Sequence, residues 1–230
     1  MTIQPLQFSI VVLGENHNPT IINPDFLALR DIVPDKWKWK RGEPIITTPP
    51  FAQVTYDNNI SIQVRPNLAQ FLDPRGCNPL DSEILHISKE FVKTLRHVRY
   101  SAVGFNFHYL SEMELPDEFL IKRFLKNGEW NQPQHTMCGF ALRFIYPIKE
   151  EKGQITIRLD GAKANTQNDD NGEERQALLV VGNFHRDCDK YPADEQIGSF
   201  VDMISDDFEQ FKELTHLIIG SNINGSPNKN

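Results

Sequence analysis

The residues best equipped for chemistry occur in one short pattern used twice. Asn106-Phe107-His108 and Asn183-Phe184-His185 share three residue types, each within two residues of a glycine. Both sit in strand-like stretches, where side chains two apart share a face. Asn and His of each copy therefore point one way and Phe the other. Asp187 extends the second set on the same face, with Cys188 and Asp189 next. Imidazole, carboxylate and amide groups together could ligate a divalent cation or exchange protons near neutral pH. No spacing among them matches a recognised metal signature, so metal, cofactor and substrate stay unassigned. The plainer reading is a set of solvated strand-end residues.

A second stretch, Lys36-Trp37-Lys38-Trp39-Lys40-Arg41, interleaves cations with aromatic rings. Lys38 and Lys40 could meet phosphates while Trp39 stacks on a base or sits at a lipid interface. Lysines alternating along a strand also keep a sheet edge from aggregating. Trp37 has a counterpart in Trp130, which marks it as packing. The chain carries a net charge of −7. That sign opposes any general affinity for nucleic acid or anionic membrane, and local contact through residues 36–41 is the third-ranked reading.

Other groups carry less. Cys77, Cys138 and Cys188 are odd in number, widely spaced and without a CxxC pair, so no disulfide framework is expected and a reducing cytoplasm fits best. Glu15-Asn16-His17 and His135 are lone loop groups. Asp169-Asp170-Asn171-Gly172 lacks the spaced ligands and closing Glu of a calcium loop. Walker A, GxGxxG, GxSxG and HExxH motifs are absent from the sequence. No basic and apolar leader is legible at the start. The longest apolar runs fall well short of the roughly 20 residues a membrane helix needs.

The elements that would position these groups follow from periodicity. Residues 7–13 read as a buried strand and Asn23-Pro24-Asp25 as a helix start, with Asn as cap and Pro at the first position. Residues 51–56 and 60–65 form a hairpin, the second arm alternating Ile60, Ile62 and Val64 with polar residues. Ile84, Ile87, Phe91, Leu95 and Val98 form one stripe of a helix over 78–97. Residues 100–109 alternate as a strand, Pro116 opens a short helix ended by Asn127-Gly128, and residues 137–148, 154–159 and 177–184 read as strands. Residues 164–174 form a polar loop. A helix over 194–217 carries Ile197, Phe200, Ile204, Phe208 and Phe211.

These elements echo each other. Phe8-Ser9-Ile10-Val11-Val12 resembles Tyr100-Ser101-Ala102-Val103-Gly104, and Pro24-Asp25 resembles Pro116-Asp117 at the same offset. One offset also superposes the two long helical stripes. The expected fold class is therefore α+β with an internal pseudo-repeat of strand-helix-strand-strand-helix units. An antiparallel sheet would carry two long helices on one face. Residues 1–98 and 99–219 would be the two halves, as separate units or as one continuous domain, and residues 220–230 a disordered tail. Without an activity motif, the expected function is that of a non-catalytic binding protein. It would take a protein partner or a second copy on an open sheet face or strand edge, through Asn106, Asn183, Lys38, Trp39 and Lys40. The alternative is an acid–base or metal-dependent enzyme built on His108, His185 and Asp187.

Overall fold

A computed structural model describes residues 3–126, 128, 135, 137–149, 151–165 and 174–220. Trp130, Asn127, the polar loop beyond Asn165 and the tail beyond Gly220 lie outside the described residues. The fold is mixed helix and strand around a large antiparallel sheet. Its strands are β1 (Gln4–Glu15), β2 (Ile46–Thr48), β3 (Phe51–Thr55), β4 (Ser61–Arg65), β5 (Leu68–Asp73), β6 (Arg99–Glu112), β7 (Leu142–Pro147), β8 (Gly153–Asn165) and β9 (Glu174–Asp187). Five α-helices are described: α1 (Pro24–Leu29), α2 (Ile84–Thr94), α3 (Pro116–Phe124), α4 (Ala193–Asp202) and α5 (Ile204–Ile219). The strands form one nine-stranded sheet in the order β2-β3-β4-β5-β1-β6-β9-β8-β7. No described helix is long and apolar enough to cross a membrane.

Local chemistry sets the helix ends. The Asn23 side chain accepts the Phe26 N–H at 2.9 Å, and Pro24 and Asp25 occupy the first turn. Asp31, at φ 55°, then turns the chain away, and α1 ends at Leu29. Asn78 caps a 3-10 turn (Pro79–Asp81), and α2 starts only at Ile84. The expected helix over 194–217 is two helices, α4 and α5, with Met203 between them. Gly220, at φ 74°, ends α5 by donating its N–H to the His216 carbonyl at 2.7 Å.

β2 and β5 are strands that the alternation pattern did not reveal. Ala69, Phe71 and Asp73 point inward from β5, and an inward aspartate hides the period. Asp73 is buried at the strand end. It accepts from Arg75 at 2.7 Å and from Ser82 at 2.5 Å. Burial pushes its carboxyl up, but the hydrogen bonds from Arg75 and Ser82 outweigh this and hold it below the usual range. A second buried ion pair closes the other side of the sheet. Arg186 of β9 donates to both carboxylate oxygens of Asp207 at 2.6 and 2.5 Å, and also to Glu151.

The core lies on one face of the sheet. Register places Phe8, Ile10 and Val12 of β1 opposite Phe107, Phe105 and Val103 of β6. Phe105 in turn faces Phe184, and Phe107 faces Gly182. The Phe107 ring lies 5.4 Å from Phe8, 5.5 Å from Phe184, 5.5 Å from Phe208 and 5.2 Å from Phe211, centroid to centroid. A Cβ at position 182 would overlap the Phe211 ring, so glycine is what lets α5 approach β9. On the other side, Phe71 meets Phe91 of α2 edge to face at 5.2 Å.

His17 is a buried group whose imidazole makes no hydrogen bond among the described residues. It is 4% exposed, packs against Tyr100 and Phe91, and neither ring nitrogen has a described partner. Burial, helped by the nearby His97, lowers its pKa to about 4.

Two outcomes follow from this core. Phe107→Ala should cost about 3–5 kcal/mol of unfolding free energy and Gly182→Ala about 1–3 kcal/mol, both read by urea titration. Below pH 6.5 the unfolded chain binds a proton at His17 that the folded chain refuses down to about pH 4. Stability should therefore fall as pH drops through that window, by up to about 1.4 kcal/mol per pH unit from this group. His17→Phe should flatten that slope in urea titrations at pH 6.5, 5.5 and 4.5; an unchanged slope would place the proton elsewhere.

Candidate binding face

Because strand side chains alternate, the residues between the core positions emerge on the opposite face. One register row runs across it: Thr55, Ser61, Leu72, Ser9, Asn106, Asn183, Thr156 and Ile145 face one another in turn on eight strands. A neighbouring row carries Gln53, Gln63, Gln70, Val11, Gly104, His185 and Gln154. Most of these side chains are half-buried, and Ser9 at the centre is only 3% exposed. The face is polar but carries little charge at its middle.

Its described hydrogen bonds run mostly within the sheet. Asn183 donates to the Asn106 side-chain oxygen at 2.8 Å. His108 and Gln7 are 3.3 Å apart, and His185 and Asp187 are 3.2 Å apart. Arg158 pairs with Asp160. The two Asn residues of the repeated tripeptide are thus brought together on adjacent strands. The two histidines are not. β6 and β9 run antiparallel, and Gly104, not His108, faces His185. Four residues along a strand put His108 and His185 about 13 Å apart along the sheet. Among the described residues, no three His, Cys, Asp or Glu side chains cluster as metal ligands would. Burial lowers the His108 pKa, which favours the neutral ring.

Cys188 and Cys77 are poor nucleophiles in their settings. Burial first, then Asp187 and Asp189, push the Cys188 thiol up to about 11; burial and Asp73 do the same for Cys77.

Residues 36–41 occupy a separate place. Segment 38–40 runs beside 55–57, with Lys40 donating its N–H to Thr55 and Asp57 donating to the Lys38 carbonyl. Trp37 packs on Tyr56 at 5.1 Å, while Trp39 is 44% exposed. Lys40 is engaged by Glu43 at 2.9 Å and Asn59 at 3.0 Å, and this bond holds the Glu43 carboxyl below its usual value. Lys38, Trp39 and Arg41 border a cavity of about 270 Å³, but Asp25 and Asp57 border it too. The cations there are locally balanced.

A larger cleft of about 510 Å³ opens where β7, β8 and β9 meet, with Arg143, Arg158, Thr156 and Asn183 in its lining. Reading single residues did not single out Arg143, Arg158 or Thr156. The β7–β8 register sets Arg143 against Arg158, and no single-residue pattern fixes that register.

The Asn106–Asn183 bond ties β6 to β9 on the half-buried face. Replacing either residue by Ala should cost about 1 kcal/mol, and the double replacement should cost less than the two together, measured as a double-mutant cycle in urea.

No family model matches the chain, and no curated protein matches it significantly. What this face does must therefore come from its own geometry.

Proposed function

We propose that the chain is a non-catalytic binding protein whose open sheet face, or an edge strand beside it, takes a protein partner or a second copy. The observation that carries this reading is the broad half-buried polar face, whose described contacts run mostly within the sheet. Half-buried amides and hydroxyls around apolar Val11, Leu72 and Val181 offer hydrogen bonds and contact area together, as interface centres do. Asn106 and Asn183 form the middle of the contact. The edge strand β7, with Ile145 54% exposed, has a strand partner on one side only among the described residues and offers its outer edge for strand addition.

The architecture behind this is an internal duplication of residues 1–98 and 99–219. The strand order supports it: β1 and β6 are neighbours, with β5, β4 and β3 following on one side and β9, β8 and β7 on the other. The long helices of both halves share the apolar face, a reading supported by Phe91 on Phe71 and by Phe208 and Phe211 on Phe107. Such a duplication leaves the second face free for ligands. Cytoplasmic location goes with the unpaired cysteines.

The enzyme reading through His108, His185 and Asp187 is favoured only by the His185–Asp187 pair. Contact of nucleic acid with Lys38, Trp39 and Lys40 has less support, because Lys40 is already engaged.

Native mass spectrometry on protein purified without chelator separates these readings. The expected spectrum is an oligomer or a retained partner that is lost in Gln70→Arg, on the open face, and kept in Leu217→Arg, on the exposed side of α5. A metal-sized increment lost in His185→Ala would replace this reading with the enzyme. Nucleic acid lost in the Lys38→Glu, Lys40→Glu variant would replace it with the third.

A further inference from the structure

We propose that the cleft formed by β7, β8 and β9 binds a small organic oxyanion, a carboxylate or phosphate carried on an apolar body. This rests on the reading of the open face as a binding surface and names a ligand for one part of it.

Arg143 of β7 and Arg158 of β8 stand directly opposite each other, so both side chains leave the same face of the sheet. Opposed residues bring their Cβ atoms within about 4.5–5.5 Å, and two like charges there destabilise a hairpin. Asp160 offsets Arg158. Arg143 has no ion pair among the described residues. One positive charge is therefore left over at the lip of a cleft of about 510 Å³. That volume lies within the range of about 300–1,000 Å³ typical of small-molecule sites.

The rest of the lining suits the same ligand. Ala141, Leu142 and Val181 give it an apolar wall. Thr156 also lines the cleft, and its hydroxyl has no hydrogen-bond partner among the described residues, a bond left unmade at a cost in free energy. The Asn183 amide lines the same cleft, held in place by its bond to Asn106. Paired guanidinium forks match the planar oxygens of a carboxylate or the face of a phosphate, and each can bond them bidentately. On a chain of net charge −7 this is a local positive spot and not part of a basic surface. That favours a small anion over a polyanion such as nucleic acid.

Titration of ¹⁵N-labelled protein with phenyl phosphate, with benzoate and with neutral benzyl alcohol tests the site. The expected result is saturable shifts at Thr156, Val181 and Asn183 with one or both anions and none with the alcohol. Whichever anion saturates identifies the head group. Arg143→Gln should weaken binding at least tenfold, and Arg143→Lys should recover it only in part. The melting temperature of Arg143→Gln should be equal to or above that of the parent, because a like-charge opposition is removed. Absence of saturation with both anions, or equal binding by Arg143→Gln, overturns the site. A lowered melting temperature in that variant would assign Arg143 to structure and overturn it as well. Gln70→Arg lies outside this cleft, so an assembly that breaks in that variant while both anions fail leaves the binding face standing without this ligand. Saturable anion binding with no assembly leaves the opposite.

Discussion

The contact between Phe107 and Phe211 across Gly182 is the constraint from which the rest of the structure follows. Phe107 is in ring contact with β1 through Phe8, with β9 through Phe184 and with α5 through Phe208 and Phe211. Aromatic rings bring large buried area and a preferred geometry to such a meeting point. It works only because position 182 has no side chain. Once Phe107 is committed to this face, alternation commits Asn106 and His108 to the other. The location of the polar face is thus a consequence of where the core sits.

Charge reinforces the same division. Asp73 at the end of β5 and Arg186 near the end of β9 both point to the apolar face, and each is fully engaged there. A buried ion pair seldom adds net stability over apolar packing, but losing one partner leaves an uncompensated charge and is costly. These pairs therefore fix which turn and which helix close each end. Among the described residues the central rows of the open face lack such anchors, and its bonds there run along the sheet, from Asn183 to Asn106 and between Gln7 and His108. Toward one edge, Arg143 has no ion pair among the described residues.

Much of the local structure was legible in single residues. The Asn23-Pro24-Asp25 helix start, the alternation of β4 and β6 and the stripe on α2 follow from capping chemistry and period. β5 was not legible, because Asp73 occupies an inward position that only Arg75 and Ser82 make tolerable. The break at Met203 was also hidden, since the stripe from Ile197 to Phe211 runs through it without losing phase. For the site, the shared facing of Asn106 with His108, and of Asn183 with His185, could be read from the period of two. Their mutual distances could not.

The sequence by itself determined the class of fold, the inward and outward side of most strands and the absence of recognised activity motifs, because these depend on residue type and short-range spacing. The tertiary structure alone decided which strands are neighbours and in what register. That pairing joined Asn106 to Asn183, separated His108 from His185 and set Arg143 against Arg158. The physical reason is that register is fixed by contacts between residues far apart in the chain, above all the rings around Phe107, and a one-residue slip would turn every such side chain to the other face.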